Sequence, residues 1–350
     1  MNRLWITISI LMALTSSGAV AAPLDPSRLP ADAKWVIHFD MAALQASGLL
    51  EDVGGLFPAG LEPARAQLQK IEDNIGIDPT RDVLNVTVYD TRFAGKDGVM
   101  LIDVNDLDAG RLIEQLKERR PDHLASVHEG QTIYSWTMER GRDGEHVISG
   151  TTYRNTIVLS RSKTHVTDAI GLLAGRGRTI AADSPLARKA GSGTIALGRA
   201  VGMDEVKTPF NSQIIREARS LSVAAGSADD ELFFEGAMVA SSPDVAKQCR
   251  AVVEGFRGIA ALNAPDETAR RLVSALMIST EGATVTAQWR ASRDDILSAI
   301  KNQLNKRGRG ANKSGQTTND PAGASSNTHS NTQFAKPISA GPLKGFADRR

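Results

Sequence analysis

Two stretches of the chain share one pattern, and that recurrence restricts the fold more than any other feature. Gly98 to Leu116 reads GVMLIDVNDLDAGRLIEQL, and Gly236 to Val253 reads GAMVASSPDVAKQCRAVV. Each is an apolar strand, a short turn containing Asp, and a helix. Gly98 pairs with Gly236, Met100 with Met238 and Asp106 with Asp244, at a constant offset of 138. This spacing predicts a duplicated architecture in which each half runs strand, helix, two strands, helix, further strands, helix.

The flanking sequence fills in the same scheme. Trp35 to Asp40 alternates as a strand, with Trp35, Ile37 and Phe39 on one face and Val36, His38 and Asp40 on the other. Helical spacing covers Met41–Leu49 and Leu61–Ile75, and strands are expected where Leu84, Val86 and Val88 alternate with Asn85, Thr87 and Tyr89. After the first unit come short strands near 125–128, 132–138, 146–151 and 156–160, and then a helix over 164–174. The second half offers strands near 194–197, 221–225 and 231–239, with helices over 212–218, 243–256 and 267–276. Ala283, Val285, Ala287 and Trp289 then alternate with Thr284, Thr286, Gln288 and Arg290, and a helix follows that is capped by Ser292 with Asp295. Short polar turns between strands favour antiparallel neighbours. The fold class is therefore α+β, mainly antiparallel sheets with packed helices in two related halves, arranged as one sheet or as two lobes.

Four segments follow: 1–21 a signal peptide, 22–180 the first half, 181–305 the second half, and 306–350 a basic tail. In the first, Arg3 precedes an apolar run, Leu4 to Leu14, and Ala19-Val20-Ala21 offers a cleavage site after Ala21. That run is shorter than the roughly 20 residues needed to span a bilayer, so the expectation is an exported chain, periplasmic or extracellular, with no transmembrane span in its mature part. The tail carries eight basic residues against Asp320 and Asp348 and is poor in aliphatics. Such a composition predicts disorder and suits a tether or a contact with polyanions. Nucleic acid is not an expected partner of an exported chain.

Chemical signatures are sparse. The sequence has no G-x-S-x-G elbow, no phosphate loop ending in Lys-Ser or Lys-Thr, no H-E-x-x-H and no S-x-x-K with its companion motifs. The single Cys249 precludes an internal disulfide and falls on the apolar stripe of its helix with Val245, Val252, Val253 and Phe256, which predicts a buried, inert thiol. His38 and Asp40 share one strand face and are the one pair that the alternative, a hydrolase or other enzyme of unfamiliar type, would use; the simpler reading is a pair of solvated residues. His123, His128, His146 and His165 lie singly, so no metal site is expected. Asp103, Asn105, Asp106 and Asp108 lack the Gly and the terminal Glu of a calcium loop and are better explained as helix-capping groups. No catalytic, cofactor-binding or metal residue is assigned.

Leu29 to Asp40 (LPADAKWVIHFD), followed by Ser47, resembles the opening of a group of exported bacterial proteins of unknown function known best from planctomycetes. His128 to Trp136 (HEGQTIYSW) and Thr156 to Ser160 (TIVLS) are similar to later segments of that group. The resemblance spans most of residues 29–305 and implies an exported α+β protein. It transfers no catalytic residue. The resulting expectation is a non-catalytic envelope protein that binds a partner or an apolar ligand through its sheets.

Overall fold

The structure, a computed structural model, describes residues 22–56, 66, 69, 72–73, 76–93, 95–139, 145–206 and 216–302. The segment expected to be a signal peptide, most of the helices expected over 61–75 and 212–218, and the basic tail lie outside these residues. The described part opens with a short 3-10 turn at Pro26–Arg28. It then builds β1 (Trp35–Asp40), α1 (Met41–Ala46), α2 (Leu49–Leu56), β2 (Val83–Asp90), β3 (Val99–Val104) and α3 (Ala109–Arg119). Next come β4 (Leu124–His128), β5 (Gln131–Glu139), β6 (Glu145–Tyr153), β7 (Thr156–Ser160) and α4 (Lys163–Leu173). The second half holds β8 (Thr194–Val201), β9 (Ala218–Ala228), β10 (Glu231–Ala240), α5 (Pro243–Leu262), α6 (Glu267–Ser274), β11 (Met277–Glu281) and β12 (Thr284–Ser292), with residues 293–302 helical behind it.

All twelve strands join in one antiparallel sheet, ordered β11-β12-β10-β9-β8-β1-β2-β3-β7-β6-β5-β4. The fold is α+β, and one continuous sheet replaces the alternative of two lobes. Outward from the seam between β1 and β8, each flank runs through its first three strands in order and then meets the last strand of its own half. Met100 and Met238 occupy the same sheet face in their flanks. The helix starts do not keep that offset, because α3 is capped by Asp108 and α5 by Ser242. Asp106 instead takes a left-handed turn conformation, φ 49°.

The two faces of the sheet differ in chemistry. In one row, Met100, Val88, Ile37, Gly198, Val223, Gly236 and Ala287 stand opposite one another across seven strands. The next row reads Ile102, Val86, Phe39, Ala196, Ala225, Phe234 and Trp289. This apolar face carries α3 at one flank, where Leu112 packs with Ile102 and Leu159, and α5 at the other, where Val245 and Cys249 pack with Met238, Val285 and Ile278.

The opposite face is covered in the first half by residues 24–33, by α4 and by the loop around Ile180. There Leu29, Val36, Tyr89, Leu101, Ile133, Val158, Val166 and Ile170 form the largest buried cluster. Burial in the central strands therefore runs against the polarity of the sequence. His38 and Asp40 are 3% and 2% exposed, whereas Ile37 and Phe39 are 41% and 44% exposed. Asn85, Thr87 and Tyr89 are likewise buried, while Val86 and Val88 are not fully so.

Candidate functional site

The expectation that His38 and Asp40 are solvated is overturned by the segment that crosses their face. His38 Nδ1 lies 2.9 Å from the Thr87 hydroxyl and Nε2 lies 3.0 Å from the Ala22 carbonyl oxygen. A carbonyl can only accept, so Nε2 carries the proton and Nδ1 accepts from Thr87. Burial, the largest influence, pushes the imidazole below 6.5; the Ala22 carbonyl and the Asp40 and Asp103 charges offset part of that push. Asp40 Oδ1 accepts from the Ala43 backbone N–H at 2.8 Å and so caps α1. Both side chains are engaged in structural bonds, and neither lines the cavities described below.

Register explains the polar groups around them. Asp40, Asn85, Asp103 and Thr156 stand in one row across β1, β2, β3 and β7. Asn85 Nδ2 and Thr156 Oγ1 donate to the Asp103 carboxylate at 2.9 and 2.6 Å. Arg28 closes the row from above, with Nη1 on one oxygen of Asp103 and Nη2 on the other at 2.9 Å. Asp103 is therefore the centre of a cross-strand network and not a capping residue, as its place in an acidic run suggests; Asp108 does cap, accepting from Arg111 N–H at 3.0 Å. Fixed partners in this row satisfy charges that would be costly to bury alone.

Ionisable side chains also converge in a cavity of about 130 Å³ between Asp32, Tyr89, Asp90, His165 and Asp168. His165 Nδ1 donates to the Asp97 carbonyl oxygen at 2.7 Å. The space is small for any organic substrate. Among the described residues, no group of three or more His, Cys, Asp or Glu side chains is arranged to hold a metal.

Two larger cavities lie on the apolar face. Between α3 and the strands below it is a cavity of about 400 Å³, lined by Ile102, Leu112, Ile113, Leu116, Tyr134, Trp136, Ile157 and Leu159 among others. Gly150 belongs to its floor, where a side chain would meet Leu159 Cδ2 at 2.5 Å and the Trp136 ring at 3.3 Å. Its missing Cβ lets Trp136 and Leu159 close over the strand. The polar lining of the cavity includes Gln115, Arg119 and Arg120 at the C-terminal end of α3, with Thr151 and Thr152 on the strand. Gln115 Oε1 is buried without a hydrogen-bond partner among the described residues. Arg119 donates to the Asp73 carbonyl oxygen at 2.7 Å and Arg120 to that of Thr137 at 3.4 Å.

A second apolar hollow of about 530 Å³ lies between α5, α6 and the sheet, with Phe234 and Trp289 as its floor and Val253, Phe256, Leu272 and Leu276 as its walls. It explains why the expected stripe on α5 is only half buried. Cys249 and Ala246 face the sheet, but Val252 and Phe256 are 44% and 68% exposed. Strand periodicity marks the floor residues of both cavities and helical periodicity marks the walls. Nothing in the sequence marks the space between them, because separation of a helix from a sheet depends on loops and on packing at a distance.

No family model matches the chain, and no curated protein matches it. Among solved structures, three crystal forms of TP0453 align with it. Form I does so with a TM-score of 0.42 and 12% identity, covering 80% of this chain and 98% of that one. Forms III and IV give TM-scores of 0.42 and 0.43 at 13% and 11% identity, each covering 81% of this chain and 99% and 98% of theirs. At this level the likeness carries no functional inference.

Proposed function

We propose that the chain is a non-catalytic, exported binding module that takes an apolar or amphiphilic small molecule between α3 and the sheet. The carrying observation is the cavity of about 400 Å³ with aliphatic and aromatic walls and a polar end formed by Gln115, Arg119 and Arg120. Ligand sites have this composition: a mostly apolar concavity with a few polar groups that fix orientation. An amphiphile with an anionic head, such as a long-chain fatty acid, matches it in both parts, the chain against the aliphatic walls and the head towards the two guanidinium groups.

The test uses the natural reporter in the lining. In a Trp35→Phe/Trp289→Phe background, titration with a long-chain fatty acid should change Trp136 emission saturably, and Ile113→Trp, which fills the cavity, should weaken binding at least tenfold by calorimetry, a readout that its added indole does not disturb. Absence of saturable binding, or equal binding by the filled variant, overturns the proposal. Native mass spectrometry of the exported protein provides a second check, since a retained amphiphile should be lost in Ile113→Trp.

A further inference from the structure

Arg199 on β8 is 5% exposed, yet no carboxylate approaches it within ion-pair distance among the described residues. Its Nη1 donates to the carbonyl oxygens of Leu186, at 3.0 Å, and Arg188, and its Nε is buried without a partner. Burial, and next the nearby Arg188 charge, push the guanidinium down to about 10. A buried arginine is ordinarily matched by an anion, because its guanidinium is costly to desolvate unpaired.

The space beside it is built for such a match. Arg199 shares a row of the sheet with Ser222 on β9 and Thr286 on β12, on the face opposite the apolar cavities. These residues line a cavity of about 200 Å³ together with Arg188, Lys189, Glu235 and Gln288. The carbonyl bonds from Leu186 and Arg188 fix the loop that brings Arg188 and Lys189 over the strand. Three cations therefore meet one carboxylate, and that carboxylate, Glu235, is already paired with Arg290 at 3.4 Å. With Glu235 engaged by Arg290, the charges of Arg188, Lys189 and Arg199 are a surplus of three, with the Ser222 hydroxyl and the Gln288 amide beside them.

We propose that this cavity binds a phosphate group, held by Arg199 from the sheet and by Arg188 and Lys189 from the loop. A phosphate dianion offsets two of these charges and presents acceptors to both sides, which a single carboxylate does not. The site is separate from the amphiphile cavity and does not depend on it.

The experiment is calorimetric titration of the full chain with inorganic phosphate, and with glycerol phosphate, at ionic strength held constant with chloride. Saturable binding of either is expected; tighter binding of the ester would identify an esterified phosphate as the natural source. Arg188→Ala and Lys189→Ala change exposed side chains and leave the Arg199 tether intact, so they should keep the wild-type melting temperature. Each should weaken phosphate binding about tenfold. Arg199→Lys, which keeps the charge but loses the fork, should weaken it further. Binding no stronger than that of chloride, equal binding by the two loop variants, or binding of acetate in preference to phosphate overturns the proposal.

Discussion

The guanidinium of Arg28 spans both oxygens of the Asp103 carboxylate, tying the turn ahead of β1 to the third strand of the sheet. Burial alone would raise the Asp103 carboxyl, but the hydrogen bonds from Arg28, Thr156 and Asn85 together outweigh it and hold the group below 3.8. A carboxyl depressed by folding contributes stability that is complete above its unfolded value and is lost as the pH falls through the folded one. Arg28→Met, which leaves that carboxylate without its ion-pair partner, should cost about 3 kcal/mol at neutral pH. The stability gap between wild type and Asp103→Asn should close as the pH drops below 3.8. Urea titrations at a series of pH values measure both effects, and a gap that persists unchanged in acid would show that the carboxylate is not ionised in the fold.

His38 should act in the opposite range of chemistry but with the same sense. Its imidazole is buried and neutral, with a folded value below 6.5. The unfolded chain therefore binds the proton first, and stability declines as the pH falls from 6.5 towards the lower folded value. Thermal melts from neutral to mildly acidic pH should show this loss in the wild type and less of it in His38→Gln. Parallel curves for the two proteins would remove the buried neutral histidine from the account.

Gly193 precedes β8 and lies against Gly226 of β9. Gly193 has φ +73°, and a Cβ on either residue would overlap a backbone carbonyl, that of Ser227 for Gly193 and that of Gly193 for Gly226. Gly226→Ala should cost about 2 to 3 kcal/mol, since backbone cannot yield as a side chain can. Gly255, inside α5, has no neighbour in the way of a Cβ. Gly255→Ala should stabilise by about 0.5 to 1 kcal/mol, through helix propensity alone. Chemical denaturation of the two variants side by side tests both signs at once.

Cys249 should be silent in the native state. It is buried against the sheet with Val285 and Met238, and burial pushes its thiol upward. Because the thiolate is the reactive form, alkylation at mildly alkaline pH should be slow and should accelerate with denaturant as the protein opens. Stoichiometric labelling of the folded protein within the mixing time would contradict this packing.

Much of the architecture was legible because it rests on local periods. Alternation located most strands, helical spacing located α3, α4 and α5, and Ser292 was correctly read as a cap, accepting from Asp295 N–H at 3.1 Å. Alternation cannot say which face of a strand is covered. For β1 and β2 the apolar face was the natural choice for burial, yet the covering segment crossed the polar face and supplied Arg28 and the Ala22 carbonyl as partners. The same limit hid the role of Asp103, whose partners lie 18, 53 and 75 positions away in sequence. The cavities were illegible for a related reason: floor and walls come from different elements, and only the assembled sheet sets their distance.

The seam between β1 and β8 also governs how the molecule assembles. His38 pairs with Leu197, about 160 positions later, whereas many neighbouring pairs within each flank are joined by short turns. Hairpins close in about 1 to 10 μs, but a contact across so long an intervening chain must await a much less probable encounter. Each flank then has time to organise while the inner edges of β1 and β8 are still unpaired. Until the seam closes, β1 and β8 are open strand edges to which another chain can pair.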